Sequence, residues 1–209
     1  HCKGYLVRDD NTKPLYMIGC INEIGERQKA DNVSGLLGET GFRQYMDQQD
    51  TPLETGYLLR IGIDHFKEIN DNFGQEYGDF VLRKTADCIS GCISEAQKVY
   101  KLVADEFLIL DVSSDEVKDA DKLYDKVRNE IDIESNEFKV IYTVSGGIVP
   151  FAALKGNQYS EALKLTDFAL NEAKKLGRNR CYIFNEETYR RFLRKREITQ
   201  ELREAVNNG

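Results

Sequence analysis

One stretch limits the fold of this chain more than any other: GYLLRIGI, residues 56–63. It has the length of a strand, is mostly apolar, and carries glycines inside it. A strand with one wet face alternates apolar and polar residues. This one does not, so it suits a strand buried on both sides. Covering both sides of a sheet takes a layer of helices on each. Arg60 is the exception in the run, and it is expected to lie near an edge or to reach solvent.

The neighbouring segments supply the layers. In SGLLGETGFRQYMDQQ, Ser34 and the glycines place a turn and then a helix. DHFKEINDNFG leaves the strand as a loop and short helix. YGDFVLRKTADCISGCI carries apolar or small residues at Val81, Leu82, Thr85, Cys88, Ile89 and Cys92, which is helical spacing. VYKLV and FLILDV read as short strands flanking Ala104, Asp105 and Glu106. SSDEVKDADKLYDKVRNEI opens with Ser and Asp cap signals and continues as a helix. FKVIYTVSGGIVPF is the longest β-branched run, YSEALKLTDFALNEAKKLG an amphipathic helix closed by Gly177, and RCYIF a last strand. The order helix, strand, helix, helix, hairpin, helix, strand, helix, strand predicts an α/β (α+β) sandwich. Its central sheet is mixed and partly antiparallel, with helices on both faces.

The flanks differ. KGYLV and PLYMIGCI read as a hairpin around the turn chemistry of RDDNTK, and INEIGERQKADN as a polar, helix-prone connector. EETYRRFLRKREITQELREAVNNG reads as a charged terminal helix with little apolar face of its own.

Charge and composition exclude several function classes. The 209 residues are 41% hydrophobic and 31% charged, the balance of a soluble globular protein able to bury a core without disulfides. A net charge of −7 leaves no broad basic surface for nucleic acid or anionic lipid. No apolar run approaches the roughly 18 residues of a membrane span. The start HCKGYLVRDD lacks the apolar core of a signal peptide, so a cytoplasmic location is expected. Cys2, Cys20, Cys88, Cys92 and Cys181 are odd in number and irregular in spacing, which fits reduced thiols rather than a disulfide framework. With His1 and His65 the only histidines, the Cys88 and Cys92 pair lacks partners for zinc and is expected to be buried structure.

Three segments could carry chemistry. The loop and helix GIDHFKEINDNFGQEYGD offers Asp64, Lys67, Asn70 and Asp79. An amide and a carboxylate can together read a guanine edge, and Lys67 near a helix start suits phosphate. On composition alone a solvated helix–turn–helix with Asn70, Asp71 and Asn72 as caps is the commoner explanation. In NEAKKLGRNR, Lys174 and Arg178 are four apart and are expected to share a helix-end face, where they either clamp phosphate or complement the helix dipole. In KLVADEFLIL, Asp105 and Glu106 stand between two apolar runs, either as a charged turn or as a metal grip.

Taken together, DHFKEINDNFGQEYGD, ADEF and AKKLGRN resemble the GGDEF family, the diguanylate cyclases of bacterial cyclic di-GMP signalling. SGLLGETGF is similar to the family's opening segment. The resemblance covers residues 31–185; residues 1–30 resemble the last hairpin of a PAS sensor with its linker helix. Residues 186–209 are expected to be a helical linker, of which residues 194–209 resemble the lead-in to an EAL phosphodiesterase domain. The resemblance implies a nucleotidyl-cyclase-like fold, a homodimer, and a middle slice of a PAS–GGDEF–EAL protein. It implies GTP as ligand, with Phe66, Lys67, Asn70, Asp79, Lys174 and Arg178 on the nucleotide and Asp105 and Glu106 at the catalytic hairpin. It also implies Mg²⁺ or Mn²⁺ accompanying bound GTP.

The sequence departs from that family at defined places. The family's first metal-bridging Asp falls on Gly62, leaving Asp105 without a partner carboxylate, and Asp64 is expected to sit too far along the strand to replace it. The two hairpin glycines are Val103 and Ala104, where a β-branched residue and an added methyl are expected to crowd a left-handed turn and a nucleotide. The family's inhibitory Arg-x-x-Asp falls on Ser94 and Gln97, so product feedback there is not expected. The leading expectation is a degenerate GGDEF domain that binds GTP as a regulatory module without efficient turnover. The alternatives are an active cyclase that makes cyclic di-GMP from two GTP and a ligand-free dimerisation scaffold.

Overall fold

A computed structural model describes residues 2–8, 14–21, 30–114, 116–138, 141–156 and 158–207. Two strands, β1 (Cys2–Arg8) and β2 (Pro14–Ile21), form an antiparallel hairpin of their own, as the β-rich runs KGYLV and PLYMIGCI around a turn suggest. Most of the connector expected over INEIGERQKADN lies outside the described residues.

The main body has six strands in the order β3 (Leu37–Gly38), β5 (Gln97–Lys101), β6 (Glu106–Asp111), β4 (Tyr57–Ile63), β7 (Val144–Pro150) and β8 (Cys181–Ile183). The two outer pairs are parallel and the four central strands pair antiparallel. The strand within GYLLRIGI is central, between β6 and β7, and all seven of its residues are buried.

The helices divide between the faces by strand alternation. Tyr57, Leu59, Ile61 and Ile63 meet α2 (Phe66–Phe73), α3 (Gln75–Cys92) and α4 (Val117–Phe138) through Ile69, Val81, Ile89, Tyr124 and Val127. On the other face Leu58 packs with Phe42 of α1 (Glu39–Asp47), Leu165 and Phe168 of α5 (Gln158–Lys175), and Tyr189 of α6 (Glu186–Asn207). Each large side chain so buried contributes roughly 2 kcal/mol of transfer free energy. The α5 helix lies close on β7, since a Cβ at Gly147 would stand 2.4 Å from the backbone nitrogen of Leu170. Cys88 and Cys92 are buried in the core, outside any disulfide.

Four expectations need correction. Arg60 neither lies near an edge nor reaches solvent: it is 7% exposed on the central strand, and acceptors beneath α5 make that placement tolerable. Lys174 and Arg178 do not share a helix face, because α5 stops at Lys175 and Gly177 takes φ 118°. Arg178 then follows in a left-handed loop with φ 61°. Asn70, Asp71 and Asn72 are not caps but lie inside α2, and Gly74 separates the two helices. The long β-branched run is also strand only from Val144, with α4 reaching Phe138.

Candidate functional site

The last residues of β4 gather three distant segments. Gly62 pairs with Glu106 on one side and Ser145 on the other. Ile63 donates its amide to the carbonyl of Asp105 at 3.3 Å, which anchors the hairpin turn between β5 and β6. Asp64 is 3% exposed, and its carboxylate accepts from Thr143 Oγ1 at 2.7 Å, Ser145 Oγ at 2.7 Å and the Asn179 amide at 3.1 Å. Those bonds hold the loop after α5, including Arg178, against the end of the strand. Asp64 is thereby engaged in structure, its carboxylate bonded to the hydroxyl of Ser145, the residue paired with Gly62.

The hairpin turn keeps its shape without glycine. Ala104 takes the left-handed conformation, φ 53°, while Val103 does not and points out, 69% exposed. Crowding was expected of both residues; only Ala104 bears the conformational strain, because only its position is left-handed. Lys101, 4% exposed, fills the concave side of the turn. Its Nζ donates to the carbonyls of Leu102 at 2.9 Å, Glu106 at 3.3 Å and Ala104. Burial pulls the Lys101 ammonium below its ordinary pKa, against the opposing pull of Asp31, Asp105 and Glu106.

Asp105 and Glu106 are held by cations. Arg60 donates from Nε to Glu106 Oε2 at 2.7 Å, again from Nη2 to the same oxygen, and from Nη1 to the Leu163 carbonyl at 3.1 Å. Lys174 Nζ lies 4.0 Å from both Asp105 Oδ2 and Glu106 Oε1. A Cβ built on Gly62 would stand 3.0 Å from that same Nζ. The space that a side chain at position 62 would enter is therefore lined by an ammonium. Burial pushes the Asp105 carboxyl above the usual carboxylate range, with Lys174 opposing it.

The metal pair implied by the resemblance does not fit this donor set. Divalent magnesium takes several hard oxygens in near-octahedral order. Here Glu106 is engaged by Arg60 and Lys174, Asp64 by the hydroxyls of Thr143 and Ser145, and position 62 offers no side-chain oxygen. Among the described residues no group of three or more His, Cys, Asp or Glu side chains is placed to hold a metal ion.

The second part of the site is the junction of α2 and α3. Asn70 Oδ1 is buried without a hydrogen-bond partner, against Gly78, whose Cβ would stand 1.9 Å from it. Phe66 lies beside the same glycine, at 3.3 Å from that Cβ position. Asp79 follows, half-buried, and Lys67 is exposed on the first turn of α2. A half-buried amide whose oxygen is buried and unused, beside a half-buried carboxylate, is a polar pair suited to a planar base edge.

Ser94 and Gln97 form a structural link. Gln97 Oε1 accepts from the Ser94 amide at 2.8 Å, and Gln97 Nε2 donates to Asp111 Oδ2 at 2.6 Å. Neither side chain presents a cation or carboxylate for a product site.

Sequence reasoning missed Arg60 and Lys101 as members of the acid cluster. The available signal was a lone cation inside each of two strand-like runs, where an unpaired charge is too costly to bury.

Comparison with known proteins bears on the family and the fold. The family described as "Diguanylate cyclase, GGDEF domain" matches residues 28–180. The cyclic di-GMP phosphodiesterase NbdA of Pseudomonas aeruginosa is 27% identical over 188 residues, which are 85% of this chain and 23% of that protein. The diguanylate cyclase DgcZ of Escherichia coli is 29% identical over 167 residues, covering 77% of this chain and 55% of the relative. The chain thus spans about half or less of the length of these curated relatives. The crystal structure of the GGDEF domain of DgcB from Caulobacter crescentus, in complex with c-di-GMP, superposes with a TM-score of 0.66. The identity is 24%, over 74% of this chain and 95% of that one, and it shows the shared fold.

Proposed function

The chain belongs to the GGDEF domain family, and on that premise we propose that it is a module of cyclic di-GMP signalling that binds GTP and does not turn it over efficiently. The observation that carries this reading is the position of Lys174: its ammonium stands at Gly62, where family members place a metal-bridging carboxylate. The α2–α3 junction supports retained binding. Asn70 and Asp79 read the guanine edge, Phe66 packs behind them, and Lys67, Lys174 and Arg178 meet the phosphates. Condensation of two GTP requires charge neutralisation at both the attacking and leaving oxygens, which metal ions supply in this chemistry. With the acids already paired to Arg60 and Lys174, Asp105 and Glu106 keep the hairpin's shape but not its full catalytic set.

In this reading residues 31–185 are the GGDEF domain, 1–30 a PAS hairpin with its linker, and 186–209 a helix leading to an EAL partner that GTP binding adjusts. The separate β1–β2 hairpin and the mostly exposed α6 support that division. The domain works as a cytoplasmic homodimer. Among the described residues no helix is long and apolar enough to cross a membrane.

The test pairs binding with product. Calorimetry with GTP and ATP is expected to show micromolar, guanine-selective binding. Mass spectrometry after incubation with GTP and Mn²⁺ is expected to show no cyclic di-GMP above background. Absence of GTP binding would sink the reading. Steady product formation would favour the rival reading of an active cyclase, which the names of several relatives and the retained Asp105 and Glu106 support.

A further inference from the structure

We propose that Lys174 substitutes for the divalent cation at this site, so that nucleotide binds with equal affinity whether or not a divalent metal is present. The inference rests on the reading that the site takes a nucleoside triphosphate, and it adds what neutralises the charge there.

The geometry places one cation where another would be required. Lys174 Nζ is 4.0 Å from Asp105 Oδ2 and 4.0 Å from Glu106 Oε1, and it lies over the Cα of Gly62. Its stem packs from α5 beside Leu170, whose Cδ2 would be 3.1 Å from a Cβ at residue 62. A side chain at residue 62 would press on the end of Lys174 and on Leu170, so the lysine holds its present place because residue 62 is glycine. Arg60 and Lys101 complete the neutralisation from inside the protein, one on Glu106 and one on the turn carbonyls.

Two consequences follow for a bound triphosphate. A divalent ion entering between Asp105 and Glu106 would meet the Lys174 ammonium 4.0 Å from both acids and the Arg60 guanidinium bonded to Glu106, and like-charge repulsion disfavours it. The polyphosphate, by contrast, meets a part-exposed ammonium carrying donors beyond those its two distant acids engage. Lysine is a point charge that serves phosphate without a metal bridge.

The experiment has a metal arm and a nucleotide arm. Free Mn²⁺ is followed by electron paramagnetic resonance while the full chain is titrated, and GTP binding is followed by calorimetry in Mg²⁺ and in EDTA. The wild type is expected to leave Mn²⁺ free at about 0.1 mM protein and to bind GTP equally, within about twofold, in both buffers. Gly62→Asp and Lys174→Met are each expected to take up Mn²⁺, the first by adding an oxygen and the second by removing the competing charge. In Gly62→Asp, GTP affinity is expected to drop by about tenfold or more in EDTA. Tight Mn²⁺ binding by the wild type overturns the proposal. So does a tenfold loss of its GTP affinity in EDTA, which leaves the nucleotide reading intact. If no GTP binds in either buffer, the nucleotide reading fails and the inference falls with it. The Mn²⁺ arm would then still show whether Lys174 excludes the metal. Lys174→Met guards against a Gly62→Asp variant that fails to fold.

Discussion

Arg60 reaches Glu106 from the centre of the sheet, Nε to Oε2 at 2.7 Å, with the guanidinium side chain only 8% exposed. The pair joins the strand that carries position 62 to the strand that carries the hairpin acids. It therefore fixes the orientation of Glu106 and, through the shared turn, the approach of Asp105 to Lys174.

Breaking that pair from one side leaves a charge buried alone. Arg60→Met is expected to lower stability by about 3 kcal/mol, with Arg60→Met/Glu106→Leu recovering most of the loss. Urea unfolding of the two single variants and the double variant gives the coupling directly. Additive losses would mean that the two side chains do not depend on each other.

At the turn, the strain lies on one residue and not on its neighbour. Ala104 has φ 53°, whereas Val103 is not left-handed. Ala104→Gly is expected to raise stability by about 1 kcal/mol, and Val103→Gly to lower it by a few tenths through added freedom of the unfolded chain. Thermal denaturation of both variants checks the opposite signs.

The same substitution should act oppositely at two places in α3. A Cβ at Gly78 would stand 1.9 Å from Asn70 Oδ1, whereas one at Gly91 meets nothing within 4 Å. Gly78→Ala is expected to cost about 2 kcal/mol and to weaken GTP binding by displacing Asn70. Gly91→Ala is expected to add about 0.5–1 kcal/mol through helix propensity and to leave binding unchanged. Chemical denaturation and a nucleotide titration on each variant decide it.

Burial raises the Asp105 carboxyl above its ordinary value of 3.8. The folded state then holds a proton that the unfolded state has released. Stability therefore falls as pH rises from the unfolded value through the folded one, and the cost persists at neutral pH. Asp105→Asn is expected to be more stable than the wild type at neutral pH, with the advantage vanishing in acid below both values. Unfolding midpoints measured from about pH 3 to pH 8 report the crossing, and a constant difference across that range would contradict it.

The sequence by itself determined the layered fold and the identity of the central strand. Apolar residues on both alternating faces of residues 56–63 leave a strand no stable place except between helices. Helical periodicity in the segments after it assigned the covering layers. Set beside the GGDEF resemblance, the sequence also marks Gly62, Val103 and Ala104 as the positions expected to depart from the family pattern.

Only the tertiary structure decided how charges are matched around those positions. Arg60 and Lys174 come from β4 and α5, and no spacing rule joins them to Asp105 and Glu106, whereas Lys101 folds back on its own hairpin turn. Arg60 was misread as an edge or solvent residue because its acceptors, Glu106 and the Leu163 carbonyl, are 46 and 103 residues away along the chain. Arg178 left the helix face because Gly177 turned the chain and Asp64, from the end of β4, caught the following amide. Local pattern sets which face of an element is apolar. Which cation meets which carboxylate depends on packing between elements, because Coulomb and hydrogen-bond energies fall with distance in space and not along the chain.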